Sequence, residues 1–201
     1  MGVEDILASE DWQRCIAFHG HICPGIAIGY RAAQAGLAVL REKKAADEEL
    51  VTILETDACG VDAIQVLTGC TFGKGNFIYK DYGKQAFTFF SRNSGKGVRV
   101  VMKPGVLGAD DRHQALIDKI REGRADERDR REFEKLHVQR TREVLGKPLE
   151  ALFSIRDVEV PIPEKARMMP SEVCERCGEP VMASKLSEID GRRVCRGCLD
   201  S

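Results

Sequence analysis

The chain lacks several features that mark particular classes of protein. It has no long apolar run, because its most hydrophobic stretch, ICPGIAIGYRAAQAGLAVL, is interrupted by Arg31, Gln34 and several glycines, which argues against a membrane-spanning helix. Its formal net charge of −1 provides no positive excess that would favour nucleic acid or an anionic membrane surface. No internal repeat is evident, and no ferredoxin-like cysteine run is present to hold an iron–sulfur cluster. These absences indicate an ordinary soluble globular protein.

The first residues also lack the pattern of a secretory signal. They read MGVEDILASEDW and are acidic, whereas a signal peptide begins with basic residues followed by an apolar segment. We therefore expect a cytoplasmic protein. In that compartment cysteines serve metal binding or redox chemistry more often than disulfide frameworks, so the eight cysteines are the main indication of function.

The cysteines fall into an early and a late group, separated by about a hundred residues, which indicates two modules. A chain of 201 residues is long enough for one filled core and a small appendage. Prolines between the modules mark a linker. We expect a first domain at residues 1–160, a linker at 161–170 and a second domain at 171–201.

Local patterns predict alternating helices and strands in the first domain. Ser9 is expected to cap a first helix, and Cys23 a second helix that begins at Pro24 and carries a stripe of small residues for close backbone packing. The predicted helices span 10–18, 24–44, 61–68, 110–122 and 125–145. The predicted strands span 51–56, 77–80, 86–91 and 98–102, with one more after residue 148.

The helix predicted at 125–145 has two interpretations. Basic and acidic residues alternate closely along it, which is typical of a solvated helix with i,i+4 ion pairs. The alternative is a seam against a second subunit, formed by Phe133, Leu136, Arg140 and Val144.

The late cysteines form a pattern typical of a zinc module. VCERCGEPV and VCRGCLD supply two Cys-x2-Cys pairs separated by seventeen residues, with a hairpin predicted between them at Asp190-Gly191. So short a module has little core, so the metal must supply much of its folding free energy. Four sulfur ligands complete a tetrahedral shell, which indicates a structural role. The predicted zinc ligands are Cys174, Cys177, Cys195 and Cys198.

Two other functions are open to this module: a pair of redox dithiols, or an iron site with the same ligands. Nucleic-acid binding is disfavoured, because acidic residues offset its arginines Arg192, Arg193 and Arg196.

The segment FHGHICPG, residues 18–25, contains two of the four histidines in the chain. In an extended segment His19, His21 and Cys23 point to one face, because side chains repeat every second position. If Cys23 caps the following helix, the positive helix end is expected to lower the pKa of its thiol. A thiolate there would be a metal ligand or a nucleophile.

A second part of this site is predicted from ETDACGVDAIQVLTGC. Cys59 follows a buried strand and precedes a helix, with Asp57 and Asp62 on either side, and strand ends often carry functional groups. A mixed His/Cys set suits zinc, or iron as an alternative, and fewer than four protein ligands would leave a position for water or substrate. The simpler interpretation is that cysteines are small buried side chains, which we expect for Cys15 and Cys70.

The stretch GCTFGKGN, residues 69–76, does not match a phosphate-binding P-loop, because its glycine spacing is short and Gly75 replaces the Ser or Thr that would hold magnesium. It forms either a backbone nest for an anion, assisted by Lys74, or a tight turn.

FHGHICPGIAIGYR, ETDACGVDAIQVLTGCTFGKGNF and DYGKQAF, in this order and followed by a four-cysteine finger, resemble the E-subunit family of formylmethanofuran dehydrogenase. The resemblance implies an α+β domain with an antiparallel or mixed sheet packed with helices, a His/Cys metal centre and a homodimer. Among its residues we expect metal binding by His21 and Cys59 first, by His19 next, and by Cys23 and Cys70 after these. The family motif positions are His19, His21, Cys23, Cys59, Asp62, Gln65, Cys70, Lys74 and Asn76.

The functional expectation follows from the resemblance. It implies an accessory subunit of an oxidoreductase complex, or a stand-alone partner, in molybdenum- or tungsten-linked one-carbon or redox metabolism. No fingerprint of a pterin cofactor is present, and the formylmethanofuran reaction itself is not assumed. The N-terminal centre would hold zinc or another transition metal; if it is catalytic, the candidate residues are His19, Cys23, Asp62 as proton carrier and Lys74 as anion holder.

Two other classes of function are open. The protein would be a thiol redox or metal-delivery protein if Cys23 and Cys59 were reactive partners rather than permanent ligands. It would be an adaptor if its finger docked a protein or nucleic acid.

Overall fold

The structure is a computed structural model that describes residues 2–108, 110–165 and 169–200. The chain divides into two units, Met1–Lys165 and Ala166–Ser201, with the division inside the proline-bearing segment. Among the described residues no helix combines the length and apolar character that crossing a membrane requires.

A five-stranded mixed sheet lies in the N-terminal unit. Its strands are β1 (Leu50–Leu54), β2 (Phe77–Tyr79), β3 (Ala86–Ser91), β4 (Gly97–Met102) and β5 (Phe153–Asp157). They follow the order β2-β1-β3-β4-β5, and only the β1–β2 pair is parallel. Every residue of β3 is buried.

Seven helices are described in this unit, and the long helix at Pro24 is the central one. They are α1 (Val3–Ala8), α2 (Glu10–His19), α3 (Pro24–Leu40), α4 (Gly60–Thr68), α5 (Asp111–Arg121), α6 (Glu127–Gly146) and α7 (Leu149–Leu152). α3 contacts α2, α4 and α6 as well as β3 and β4. It is therefore surrounded by protein, as its many buried small residues require.

The mixed sheet and its helices confirm the expected fold class. The strands predicted at 77–80 and 86–91 exist, but the intervening segment does not form a hairpin. β1 lies between them, with Thr52 aligned with Phe77 on one side and with Phe89 on the other.

One predicted helix end needs correction, and one short helix was missed. α3 ends at Leu40 rather than Lys44, because Arg41 takes the left-handed conformation at φ 55° and the Glu42 N–H donates to the Leu37 carbonyl. The short helix α1 was not predicted; with six residues it is too short for an apolar repeat to distinguish it from a turn.

The helix predicted at 125–145 is α6. Arg140 and Val144, two members of the alternative subunit seam, instead face their own chain. Val144 is buried, and Arg140 donates to the Leu107 carbonyl at 2.8 Å and lies 3.3 Å from Asp110.

The C-terminal unit contains short elements around its cysteines. They are β6 (Ser171–Val173), β7 (Pro180–Met182), a 3₁₀ turn (Ala183–Lys185), β8 (Leu186–Ile189), β9 (Arg192–Cys195) and α8 (Arg196–Leu199). β8 and β9 form the predicted hairpin, with Asp190 and Gly191 both at positive φ. Among its described residues, the buried apolar side chains are Cys174, Ala183 and Val194.

Candidate metal centre

The histidine–cysteine segment forms the connection between α2 and α3. α2 ends at His19, where Gly20 adopts φ 91° and turns the chain out of the helix. Cys23 is extended and caps α3, and its Sγ accepts a hydrogen bond from the Ile26 N–H at 3.4 Å. The predicted cap is confirmed, and it fixes the thiol at the start of the central helix.

Glycines bring the second half of the site to this thiol. A Cβ on Gly25 would lie 2.9 Å from the Cβ of Cys59, and a Cβ on Gly29 would lie 2.5 Å from the Cα of Gly60 and overlap its carbonyl. α3 and α4 therefore touch backbone to backbone at this point. The close approach places Cys59, directly before α4, against Cys23.

Four potential ligands meet at this junction. One ligand atom from each of His19, His21, Cys23 and Cys59 lies within 4.8 Å of all the others. The structure thus brings together the three residues first expected to bind metal and Cys23, which was expected to bind after them. Among the described residues Cys15 and Cys70 are fully buried outside this cluster, as expected for small core side chains.

The spacing of these atoms fits a shared cation. His19 Nε2 and Cys23 Sγ are 3.7 Å apart. Two ligands of one tetrahedral zinc ion, at the usual Zn–N and Zn–S lengths, are separated by about 3.6 Å. The donor set of two imidazoles and two thiols also suits zinc.

Asp62 orients one of the histidines. Its Oδ2 lies 2.7 Å from His19 Nδ1, and the His19 side chain is only 10% exposed. With Nδ1 as the donor to this carboxylate, Nε2 is left with its lone pair toward the cysteines, which is the arrangement of a metal-binding histidine supported by a carboxylate. Asp62 is therefore placed to act through His19.

We expect Asp62→Asn to weaken metal binding at this centre by about tenfold, because an amide supports the basicity of His19 less well than a carboxylate does. Competition with a chromophoric zinc chelator would measure the affinity. Asp57→Asn, which changes an exposed carboxylate beside Cys59, serves as the control and should have no effect. Equal affinities for both variants would contradict the role given to Asp62.

The expectation that the Cys23 pKa is lowered is wrong for the free thiol. Burial raises the pKa of Cys23 to about 11, with the neighbouring Cys59 adding to the rise, and the N–H groups at the start of α3 offset this only in part. Desolvation of the thiolate outweighs the helix end. Without a cation, this thiol stays protonated at neutral pH.

Lys74 lies in the 69–76 loop and not among the four ligands. Its Nζ donates to the Asp47 carbonyl at 3.0 Å. The loop is held from inside by the buried Asn76, whose Oδ1 accepts from the Thr71 N–H and whose amide donates to the Leu50 carbonyl. Asn76 therefore has a structural task in joining this loop to β1.

The other two histidines form a separate pair that no sequence pattern indicated. His113 Nε2 and His137 Nδ1 are 3.0 Å apart, between α5 and α6, and Phe133 stacks on His113. Burial lowers the pKa of both histidines. They therefore form a neutral hydrogen-bonded pair that links the two helices.

The four late cysteines form the second cluster. Their sulfur atoms all lie within 4.8 Å of one another. The pKa of Cys174 is lowered to about 6, because backbone N–H groups of Cys177, Cys195 and Arg176 point at its sulfur. The Cys195 N–H donates to it at 3.2 Å. A thiolate so supported is prepared for a cation, as in zinc knuckles.

The fold and the two clusters define a mixed α/β protein with a His/Cys centre and a four-cysteine zinc finger. Residues 18–154 match the family described as FmdE, molybdenum formylmethanofuran dehydrogenase operon, and residues 170–201 match the prokaryotic dksA/traR C4-type zinc finger. The chain belongs to the FmdE family, and its C-terminal unit is a C4-type finger. The finger match and the four-cysteine cluster together support zinc binding at the C-terminus.

Two known proteins are similar over most of the chain. A probable S-adenosyl-L-methionine-binding protein from Archaeoglobus fulgidus is 34% identical over 197 residues, which cover 94% of this chain and 52% of that protein. The chain thus spans about half the length of that relative. The crystal structure of a tungsten formylmethanofuran dehydrogenase FmdE-like protein from Syntrophus aciditrophicus has a TM-score of 0.63 at 24% identity. The match covers 98% of this chain and 91% of the Syntrophus chain, and the likeness shows the shared fold.

Proposed function

We propose that the N-terminal unit binds one transition-metal ion, zinc in the first place, through His19, His21, Cys23 and Cys59. The observation that carries this proposal is the meeting of four ligand atoms within 4.8 Å, one of them on a histidine held by Asp62. Such a pairing of imidazole and thiol ligands with a supporting carboxylate is typical of zinc centres.

The four ligands are not held equally. Cys23 is buried and caps a helix, and His19 and Cys59 are half-buried, whereas His21 is exposed to solvent. His21 packs against His19 with ring centroids 4.3 Å apart, and its ring lies at the outer side of the cluster. The proposal is that His21 occupies the exchangeable position, which a substrate takes when it binds.

A bound cation would supply Lewis acidity to a substrate at that position. The protein residues around it have separate tasks. Asp62 holds the proton on His19 Nδ1 and so keeps Nε2 directed inward, and Cys23 and Cys59 supply negative charge from the start of two helices. The exposure of His21 leaves the approach open on the solvent side.

For the biological role we propose an accessory protein of molybdenum- or tungsten-linked one-carbon or redox metabolism, acting in the cytoplasm as a homodimer. Membership of the FmdE family supports this role, and so does the name of the Syntrophus protein that shares the fold. The name of the Archaeoglobus relative suggests S-adenosyl-L-methionine as a ligand to test alongside one-carbon substrates.

Metal analysis of purified protein tests the centre. We expect two metal ions per chain in the wild type and one in Cys59→Ala, because that variant loses one of the two thiolates, the anionic ligands that hold zinc most strongly, whereas His21→Ala keeps both. Cys15→Ala removes a buried cysteine outside the cluster and should keep two ions. His21→Ala should also keep two if His21 is the exchangeable ligand. One ion in both the wild type and Cys59→Ala would refute the proposed centre.

A second candidate is a thiol redox function, which the contact between Cys23 and Cys59 favours. The two sulfurs are near enough to form a disulfide if no metal separates them. Mass spectrometry after alkylation distinguishes the candidates: a reversible loss of two alkylation sites would support redox chemistry, and a stoichiometric metal would support the centre.

A further inference from the structure

A pocket of about 620 Å³ opens beside α2 and α4, outside the four clustered ligands. This volume is in the range of small-molecule sites. Residues of α2 and α4 and of the segments at 44–46 and 69–74 line it. The side chains that carry the argument are Arg14, Phe18, Lys44, Gln65, Val66 and Lys74.

The charged groups of this pocket are all positive. Arg14, Lys44 and Lys74 line it, and no carboxylate is among its described lining residues. Arg14 has only loose partners on its own helix, Asp11 at 3.8 Å and Glu10 at 4.0 Å. Within the described part of the chain, no carboxylate lies within ion-pair distance of Lys44.

Among the described residues, neither lysine donates a hydrogen bond to a carbonyl of the nearby helix ends, although cations often take that role. Three carbonyls at or near these helix ends accept from backbone N–H groups. The Gly20 N–H donates to Ile16 at 2.8 Å, the Gly69 N–H to Gln65 at 2.9 Å, and the Ala45 N–H to Thr68 at 2.9 Å. Lys74 instead donates a hydrogen bond to the Asp47 carbonyl, which holds the Lys74 ammonium group at the rim of the pocket.

An aromatic surface lies next to these cations. Phe18 is 58% exposed, although it is a large apolar side chain in the last turn of a helix. Val66 adds apolar surface, and the Gln65 side chain adds an amide that can donate or accept a hydrogen bond. The lining therefore combines a positive rim with an apolar floor.

We propose that this pocket binds a small organic anion, a carboxylate or phosphate monoester whose apolar ring or chain packs on Phe18 and Val66. The anionic group would contact Lys44 and Lys74, and Arg14 would lie on the opposite side of the bound ligand. Phe18 directly precedes His19, and Gln65 lies one helical turn beyond Asp62, so the ligand would lie beside the candidate metal centre. Binding in this pocket does not require the metal.

The test is an NMR titration of the full-length protein labelled with ¹⁵N, using phenyl phosphate as the probe and phenol as the uncharged comparison. Phenyl phosphate is expected to shift the amide signals of Phe18, Gln65 and Lys74, and phenol to shift them far less. Lys44→Ala is expected to weaken phenyl phosphate binding by about fivefold, the effect of losing one partly exposed charge. Lys43→Ala removes the neighbouring exposed lysine, which does not line the pocket, and should leave binding unchanged.

Three results would overturn the proposal: the absence of shifts confined to these residues, equal shifts from phenol, or equal weakening by Lys43→Ala and Lys44→Ala. The outcome is separate from that of the metal centre. Repeating the titration with Cys59→Ala should give the same binding, because that variant leaves the pocket lining intact.

Discussion

Gly29→Ala is expected to destabilise the N-terminal unit by about 3 kcal/mol, which is the upper end of the usual range of destabilisation when volume is added to a packed interior. The new Cβ would overlap the carbonyl of Gly60, which is backbone and cannot move aside alone. Intrinsic helix propensity would have the opposite sign, because alanine favours a helix by about 1 kcal/mol relative to glycine. The clash dominates, because α3 and α4 can accommodate it only by moving apart.

Guanidinium unfolding followed by Trp12 fluorescence measures this effect, since Trp12 is the only tryptophan, is buried and packs edge-on against Tyr30, the neighbour of Gly29. Gly73→Ala is the matched control, because no atom lies within 4 Å of a Cβ placed there. A second readout separates stability from the site: Gly29→Ala should also lose the N-terminal metal, since Cys59 moves away from Cys23. Unchanged stability and metal content would contradict the backbone contact.

Cys177→Ala is expected to unfold the C-terminal finger completely. Few of its side chains are buried, so the zinc ion must supply most of the folding free energy, which is about 10 kcal/mol or more in comparable modules. Cys177 itself is exposed, so its replacement removes a ligand without removing core packing. The expected unfolding would therefore result from loss of the bound metal and not from a cavity left in the core.

Trypsin digestion measures the state of the finger, because arginines and lysines are spread along residues 176–196. The variant should be cut in this segment within minutes, and the wild type should resist until a strong chelator is added. Ser187→Ala, at an exposed position of β8, should resist like the wild type. Trp12 fluorescence should stay unchanged in both variants. A protected finger in Cys177→Ala without zinc would refute the metal-dependent fold.

Much of the local structure could be predicted because local patterns determine it. Ser9 and Cys23 precede helices and cap them, Pro24 begins α3, and Asp190-Gly191 forms the hairpin turn. Features that local patterns missed or predicted wrongly depend on distant parts of the chain. The placement of β1 between β2 and β3 is decided by pairing across the sheet, and the raised pKa of Cys23 is decided by the protein that surrounds it.

In the candidate centre, too, some features follow from local sequence patterns and others from packing between distant segments. The predicted extended segment, with His19, His21 and Cys23 on one face, is wrong, because His19 ends α2 and Gly20 turns the chain at φ 91°. The three side chains still meet, and which distant cysteine joins them depends on helix packing. Cys59 and Cys70 were both candidates, and the structure brings only Cys59 to the histidines. Gly25, Gly29 and Gly60 allow Cys59 to reach the histidines, because the start of α4 can approach α3 this closely only where side chains are missing.

By itself, the sequence determined the four-cysteine finger, since ligands two residues apart around a hairpin are brought together by short-range geometry. It also determined the family and the identity of the candidate ligands. Only the tertiary structure decided that His19, His21, Cys23 and Cys59 meet, that Asp62 orients His19, and that three cations from separate segments line one pocket. These arrangements depend on helices packed across long sequence separations, where glycine at a contact sets the distance between backbones.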